Sequence, residues 1–304
     1  MKRIVLLMLA AALLIGCVLS GCAEKSDIHY DDSAVDYAAL ESLALKTALL
    51  KKAVLTGGLN QKKISGQMQV KPEHGPFVVF LSWCDGETQA DVACGTGESV
   101  EAAYDAAAGR IPADCGAVWL KADVVVTSEE VGRLAVEAEA ASVSANYYRK
   151  GIAFDRNFDT ALLEAEINSN AVLDYETGEV RLEALNTYLA AHDRACLDTV
   201  PETLISFTCK SWFCDADDTT AALYDDQWNY GRRESGTPDR EETYDRIFAA
   251  SEYFLRQIRE DGSFVYGYSA ASGEKLPGYN SIRHAGAVWS LVLQYGIDRN
   301  EALP

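Results

Sequence analysis

Phe77-Val78-Val79-Phe80-Leu81, entered from Pro76, is a short unbroken apolar run that reads as a strand and decides the fold class. Val92-Ala93-Cys94 follows the turn-like Asp85-Gly86, so the two runs predict a hairpin. Val100, Tyr104 and Ala107 then mark one face of a helix. Val118 to Val126 alternates as a half-buried strand, with Leu120, Ala122, Val124 and Val126 on one side. The order strand, strand, helix, strand points to an α+β class. Cys94-Gly95-Thr96-Gly97 carries a lone G-x-G without a Lys-Ser/Thr pair, which a strand-to-helix turn explains better than a phosphate loop.

Outward from this segment the same pattern continues. Downstream, Tyr147–Phe154 reads as a strand, Ala161–Ile167 and Leu182–Ala191 as short helices, and Leu204–Phe213 as a further strand. Upstream, Val35, Leu40, Leu43, Leu50 and Val54 recur at roughly helical spacing, and Thr56-Gly57-Gly58 ends that helix. Residues 22–34 are polar and acidic and read as a tether, which sets an α+β domain at 35–235 and a helical region at 236–304.

The chain opens with Lys2 and Arg3, followed by an apolar stretch from Ile4 to Ile15 that is too short to span a bilayer. Leu19-Ser20-Gly21-Cys22 comes directly after it and resembles the lipobox of bacterial lipoproteins. The resemblance implies that residues 1–21 are a signal peptide cut before Cys22. It also implies that the Cys22 thiol carries a diacylglyceryl, palmitate-type anchor holding the protein to the extracytoplasmic face of the cell membrane. No second long apolar run follows, so the mature chain is expected to be tethered rather than spanning.

The formal net charge is −19, and loss of Lys2 and Arg3 with the signal takes it to −21. Such a surface disfavours nucleic-acid phosphates, so no nucleic-acid partner is expected. Eight cysteines are present; without Cys17 and Cys22, six remain: Cys84, Cys94, Cys115, Cys196, Cys209 and Cys214. In an exported chain an even number fits up to three disulfides, with Cys84/Cys94 and Cys209/Cys214 the nearest neighbours in sequence. No C-x-x-C pair or Cys/His set completes a zinc site, so no metal and no cofactor are expected.

Thr237-Pro238 opens a helix whose buried face is Tyr244, Ile247, Phe248, Ser251, Phe254, Leu255 and Ile258. A loop rich in Gly, Ser and Tyr leads to a second helix with Ile282, Ala285, Val288, Leu291, Val292 and Tyr295 inward. Gln257-x-x-x-Asp261-Gly262-Ser263-Phe264, with Tyr279-Asn280-x-x-Arg283-His284-Ala285-Gly286, resembles the helical hairpin of α/α-toroid proteins, the terpenoid cyclase and prenyltransferase superfamily. Similar helical barrels include enzymes acting on polysaccharides. The resemblance covers about 60 residues and implies a structural turn rather than a catalytic motif. A toroid needs about a dozen helices, and one hairpin is readable.

Within this unit Arg283 and His284 are the candidate catalytic pair, and Tyr266, Tyr268, Tyr279 and Asn280 the candidate ligand contacts. A histidine exchanges a proton near neutral pH, a guanidinium holds a carboxylate or phosphate by its fork, and tyrosines form platforms for sugar rings. The opposing reading has Arg283 and His284 bonding the loop and sealing the hairpin. Asp215-Ala216-Asp217-Asp218-Thr219 resembles the D-x-D-D-T acid motif of class II terpene cyclases, and equally an acidic helix start or a weak calcium site. These features lead to an expectation of an exported lipoprotein that binds or processes envelope glycans. The alternative is a non-catalytic envelope scaffold, with terpene-cyclase chemistry third.

Overall fold

The computed structural model describes residues 37–143, 147–226, 228–269 and 273–298. The lipobox and tether lie outside the described residues. No described helix is long and apolar enough to cross a membrane.

The fold is mixed α+β. In chain order its elements are α1 (Tyr37–Thr56), α2 (Gln61–Gln67), β1 (Phe77–Cys84), β2 (Asp91–Gly97), α3 (Val100–Ala108), β3 (Trp119–Gly132) and α4 (Arg133–Val143). They continue through β4 (Gly151–Ala153), β5 (Ala161–Leu162), α5 (Glu164–Ser169), α6 (Leu182–Ala191), β6 (Thr203–Cys214), β7 (Thr220–Ala222), α7 (Arg240–Arg256) and α8 (Ser281–Asp298). The predicted first hairpin is present, with Phe80 opposite Cys94. The expected helix over Ala161–Ile167 instead splits into strand β5 and helix α5, because Ala161 and Leu162 pair with Ala153 and Ile152 before the helix begins.

The strands form one antiparallel sheet in the order β2-β1-β3-β6-β4-β5, with β7 sharing the far edge of β6. β3 and β6 are the central pair, and their register shifts at a bulge between Val125 and Thr127. Side chains alternate between the two faces of a strand. Leu81, Leu120, Ala122, Val124 and Trp212 therefore share the face on which α1 and α3 pack. Phe80, Asp123, Cys209 and Ser211 point the other way, where Phe80 and Phe207 stack at 5.4 Å.

Two apolar clusters hold the fold. The larger runs from Leu50 and Val54 through β1, α3 and β3 to Trp212. The smaller joins α4, α6, Tyr148, Ile152 and Leu204. Each fully buried large side chain in them contributes on the order of 2 kcal/mol relative to exposure.

Gly95 and Gly97 supply the packing reason for the glycines in Cys94-Gly95-Thr96-Gly97. A Cβ at Gly95 would collide with the backbone of α3 at Ala103 and Ala107, and one at Gly97 would meet Ala102 and Ala103. The glycines let a helix backbone rest directly on a strand. Ser99 caps α3, its side chain accepting from Ala102 N–H at 3.0 Å.

No disulfide joins the six described cysteines. The two nearest pairings fail on geometry. Cys209 and Cys214 lie on one strand five residues apart, roughly 17 Å at strand rise and on opposite faces, whereas bridged Cα atoms lie within about 7 Å. Cys94 stands opposite Phe80, four residues along the ladder from Cys84.

Candidate functional site

Asp239 starts α7, its side chain accepting from Glu242 N–H at 2.9 Å, and Gln257 closes it. The chain then folds back in a tight turn: Gly262 N–H donates to Arg259 O, Arg259 N–H to Ser263 O, and Val265 N–H to Gln257 O. Gly262 takes φ +80, which only glycine adopts freely, and Asp261 Oδ1 accepts from both N–H and Oγ of Ser263. These bonds hold the Asp261 carboxyl below its usual range. Asn280 starts α8, its Oδ1 accepting from Arg283 N–H at 2.9 Å.

These turns bring five of the six singled-out residues to one place. Tyr266, Tyr279, Asn280, Arg283 and His284 line a 220 Å³ cleft between α7 and α8, with Tyr253, Phe254, Gln257 and Phe264. A second hollow of 530 Å³ adjoins it, sharing Tyr279 and His284 and adding Arg259, Asp261 and Ser263. The His284 ring lies edge-on to Phe264 at 5.3 Å and tilted to Tyr279 at 5.6 Å, while its Nδ1 is buried without a hydrogen-bond partner. The Arg283 guanidinium lies 5.1 Å over the Tyr266 ring, so its charge is carried on an aromatic face. Tyr268 does not line the cleft: its hydroxyl donates to Gln257 Oε1 at 2.8 Å and braces the turn. A cleft with aromatic walls, an unpartnered imidazole nitrogen and a guanidinium offers stacking, proton exchange and anion pairing.

The D-x-D-D-T segment is built as a hairpin turn between β6 and β7. Asp215 N–H donates to Thr219 O, and Asp215 Oδ1 accepts from the N–H groups of Asp217 and Thr219. Asp218 takes φ +60. Lys46, reaching from α1, donates to Asp215 O at 2.6 Å, Ala216 O at 3.3 Å and Asp218 Oδ1 at 2.7 Å. Burial pushes the Asp215 carboxyl up, but the Thr219 N–H and the Arg233 guanidinium at 2.8 Å outweigh it and leave the carboxyl below its usual range. A cyclase acid must hold its proton, so this carboxylate is set the opposite way.

A further polar group sits on the sheet face away from α1 and α3. Lys121 Nζ lies 2.8 Å from Asp123 Oδ1, and Ser211 Oγ donates to the same oxygen at 2.5 Å. Arg149 pairs with Glu164 at 3.1 Å and lies over the rings of Tyr147 and Tyr230. Burial pushes the Glu164 carboxyl up, opposed by the neighbouring Lys121 and Arg149 charges and reinforced by Asp123. The sequence pattern places Leu120, Ala122, Val124 and Val126 on one side of this strand and assigns nothing to Lys121 and Asp123. The available signal was the charge pair itself, placed two residues apart inside Val118–Val126. No set of three or more His, Cys, Asp or Glu residues among those described is arranged to hold a metal.

The sequence matches no described protein family, and no curated protein is significantly similar to it. Among solved structures, the crystal structure of an uncharacterized protein from Pyrococcus horikoshii is similar at 14% identity over 62% of this chain and 98% of that one, with a TM-score of 0.27. That score is too low to equate the two folds.

Proposed function

We propose that the protein is a lipid-anchored extracytoplasmic protein whose α7–α8 cleft binds or processes glycans of the cell envelope or its surroundings. The observation that carries this reading is the convergence of Tyr266, Tyr279, Asn280, Arg283 and His284 on one cleft. Aromatic faces stack on sugar rings, while Asn280 and Arg283 supply the polar contacts that orient a glycan. His284 is the group that would exchange a proton were the bound glycan cleaved. The Leu19-Ser20-Gly21-Cys22 resemblance supplies the anchor and the compartment in which such glycans occur.

The soluble form, residues 23–304, tests it on a glycan array and in a polysaccharide hydrolysis screen. Binding or turnover is expected in the wild type. His284→Ala is expected to lower either by tenfold or more while leaving the melting temperature within about 2 °C, the range of a surface change. A silent array and screen would remove the glycan reading.

A second reading, a non-catalytic envelope scaffold, is favoured by the apolar side chains exposed on the same pair of helices. Phe248, Tyr253, Trp289, Val292 and Leu293 are all exposed, a composition that suits protein docking. Under that reading His284→Ala lowers the melting temperature and alters no ligand binding.

A further inference from the structure

The α7–α8 cleft and the hollow beside it, 220 and 530 Å³, together fall in the range of about 300–1,000 Å³ that holds a small ligand. Their lining differs in charge from the rest of the chain. The protein carries −19 overall, with 46 acidic side chains against 27 basic ones. Among the described residues lining the two hollows, Arg259 and Arg283 are the permanent cations and Asp261 is the single carboxylate. One positive charge is left over at this place on a strongly acidic molecule.

That charge is open to a ligand. Asp261 Oδ1 is already engaged, accepting from Ser263 N–H at 2.9 Å and from Ser263 Oγ at 2.6 Å. Arg259 acts on Asp261 only through space, and neither arginine is ion-paired with another described residue. Both arginines are exposed. Stacking on Tyr266 occupies a face of the Arg283 guanidinium, whereas its N–H donors lie in the plane, the fork that grips a carboxylate by two parallel bonds. The overall negative charge does not exclude an anion, because exposed charges are screened beyond about 8 Å at physiological salt and the nearest ones decide. A phosphate, with a charge of about −1.5 to −2 at neutral pH, exceeds the one positive charge to spare, and a carboxylate matches it. Tyr279, common to both hollows, is 60% exposed and offers its ring to the apolar face of a sugar.

We propose that the α7–α8 cleft selects acidic glycans: a uronic acid residue lies against a tyrosine face, its carboxylate is held by Arg283, and Arg259 adds attraction from the adjoining hollow. This rests on the glycan reading of the cleft and names the class of glycan it takes.

Isothermal titration of residues 23–304 tests it with trimers of galacturonate, glucuronate and mannuronate, each beside its methyl ester, which keeps the rings and removes the charge. At least one acid is expected to bind about tenfold or more tighter than its ester. Arg283→Gln should remove that preference, and Arg259→Gln should reduce it severalfold, so the second carries the test should the first fail to fold. Equal affinity for acid and ester, or a preference unchanged in folded Arg283→Gln or in Arg259→Gln, would overturn the acidic selectivity and leave the glycan reading standing. Glucose 6-phosphate binding more tightly than glucuronate would assign the charge to a phosphate and equally overturn it. Binding of neither acids nor esters, nor of neutral cellotriose, would remove the glycan reading and this proposal with it.

Discussion

Lys46 shows how one residue can settle the meaning of a motif 170 residues away. Its side chain is 3% exposed, and all three of its hydrogen bonds go to the Asp215–Asp218 turn. Lys46→Met keeps the stem but takes the donor from two part-buried carbonyls and the half-exposed Asp218 carboxylate, and is expected to cost about 1–2 kcal/mol in urea denaturation. Asp217, whose side chain is exposed and makes no bond in the turn, should tolerate alanine within about 0.5 kcal/mol. If Asp217→Ala proved as costly as Lys46→Met, the hairpin-turn account of D-x-D-D-T would fail.

Glu166 makes a pH-dependent contribution at the same scale. It is 6% exposed; burial raises its carboxyl above the ordinary 4.5, against the pull of Arg194, Leu163 N–H and Tyr188. The folded chain therefore holds a proton that the unfolded chain has released, and stability falls as pH rises from 4.5 through the raised folded value. Glu164 acts in the same sense. The turn aspartates Asp85, Asp174 and Asp226 are held below 3.8 by backbone N–H groups and lose their contribution only under that value. Unfolding free energies should show wild type gaining on Glu166→Gln as pH falls toward 4.5. Parallel curves would refute the assignment.

Elements show where sequence and structure agree and where they part. β1, β2, α3, α6 and β6 begin and end within a few residues of the positions predicted from apolar runs and helical spacing, because each has a continuous apolar core-facing pattern. β5 was invisible, since two residues carry no period and pair only because β4 lies beside them. β3 was half legible: Leu120, Ala122 and Val124 were assigned to one face, but alternation says nothing of whether the opposite face is covered. Asp123 thus became a buried polar group, with the half-buried Lys121 beside it, through tertiary context alone. The α7–α8 cleft was legible as a cluster of residue types, and Tyr268 was misplaced because a tyrosine beside Gln257 can spend its hydroxyl on the turn. The glycines before α3 were read as a turn, whereas their tighter constraint is the helix backbone lying on β2. Gly95→Ala should accordingly force α3 away from the sheet and cost about 1–3 kcal/mol by thermal or urea unfolding. The exposed Gly116→Ala, with nothing near its Cβ position, should cost less and only through its φ of +61.

At the scale of the whole molecule, the described residues from Tyr37 onward group as one compact unit, yet its parts are held unequally. Every member of both apolar clusters lies between Leu43 and Ala222. α7 buries no residue, and it packs chiefly on α8. The segment joining them to the sheet is tied further along: Glu234 N–H donates to Ala222 O, and Tyr224 Oη to Ser235 O. A chain ended after Gly236 keeps all these bonds and both clusters. It should unfold cooperatively with a midpoint within about 3 °C of the longer chain, because the hairpin adds little buried apolar surface to the body. Limited proteolysis should likewise cut first in 236–239, where the chain is exposed and outside regular structure, and leave a resistant body. A shortened chain that fails to fold, or a first cut inside the sheet, would mean that α7 and α8 stabilise the body through contacts other than the two clusters. In that case the cleft between α7 and α8 would be coupled to the sheet rather than carried by an independent hairpin, and His284→Ala would be expected to shift the midpoint of the whole protein.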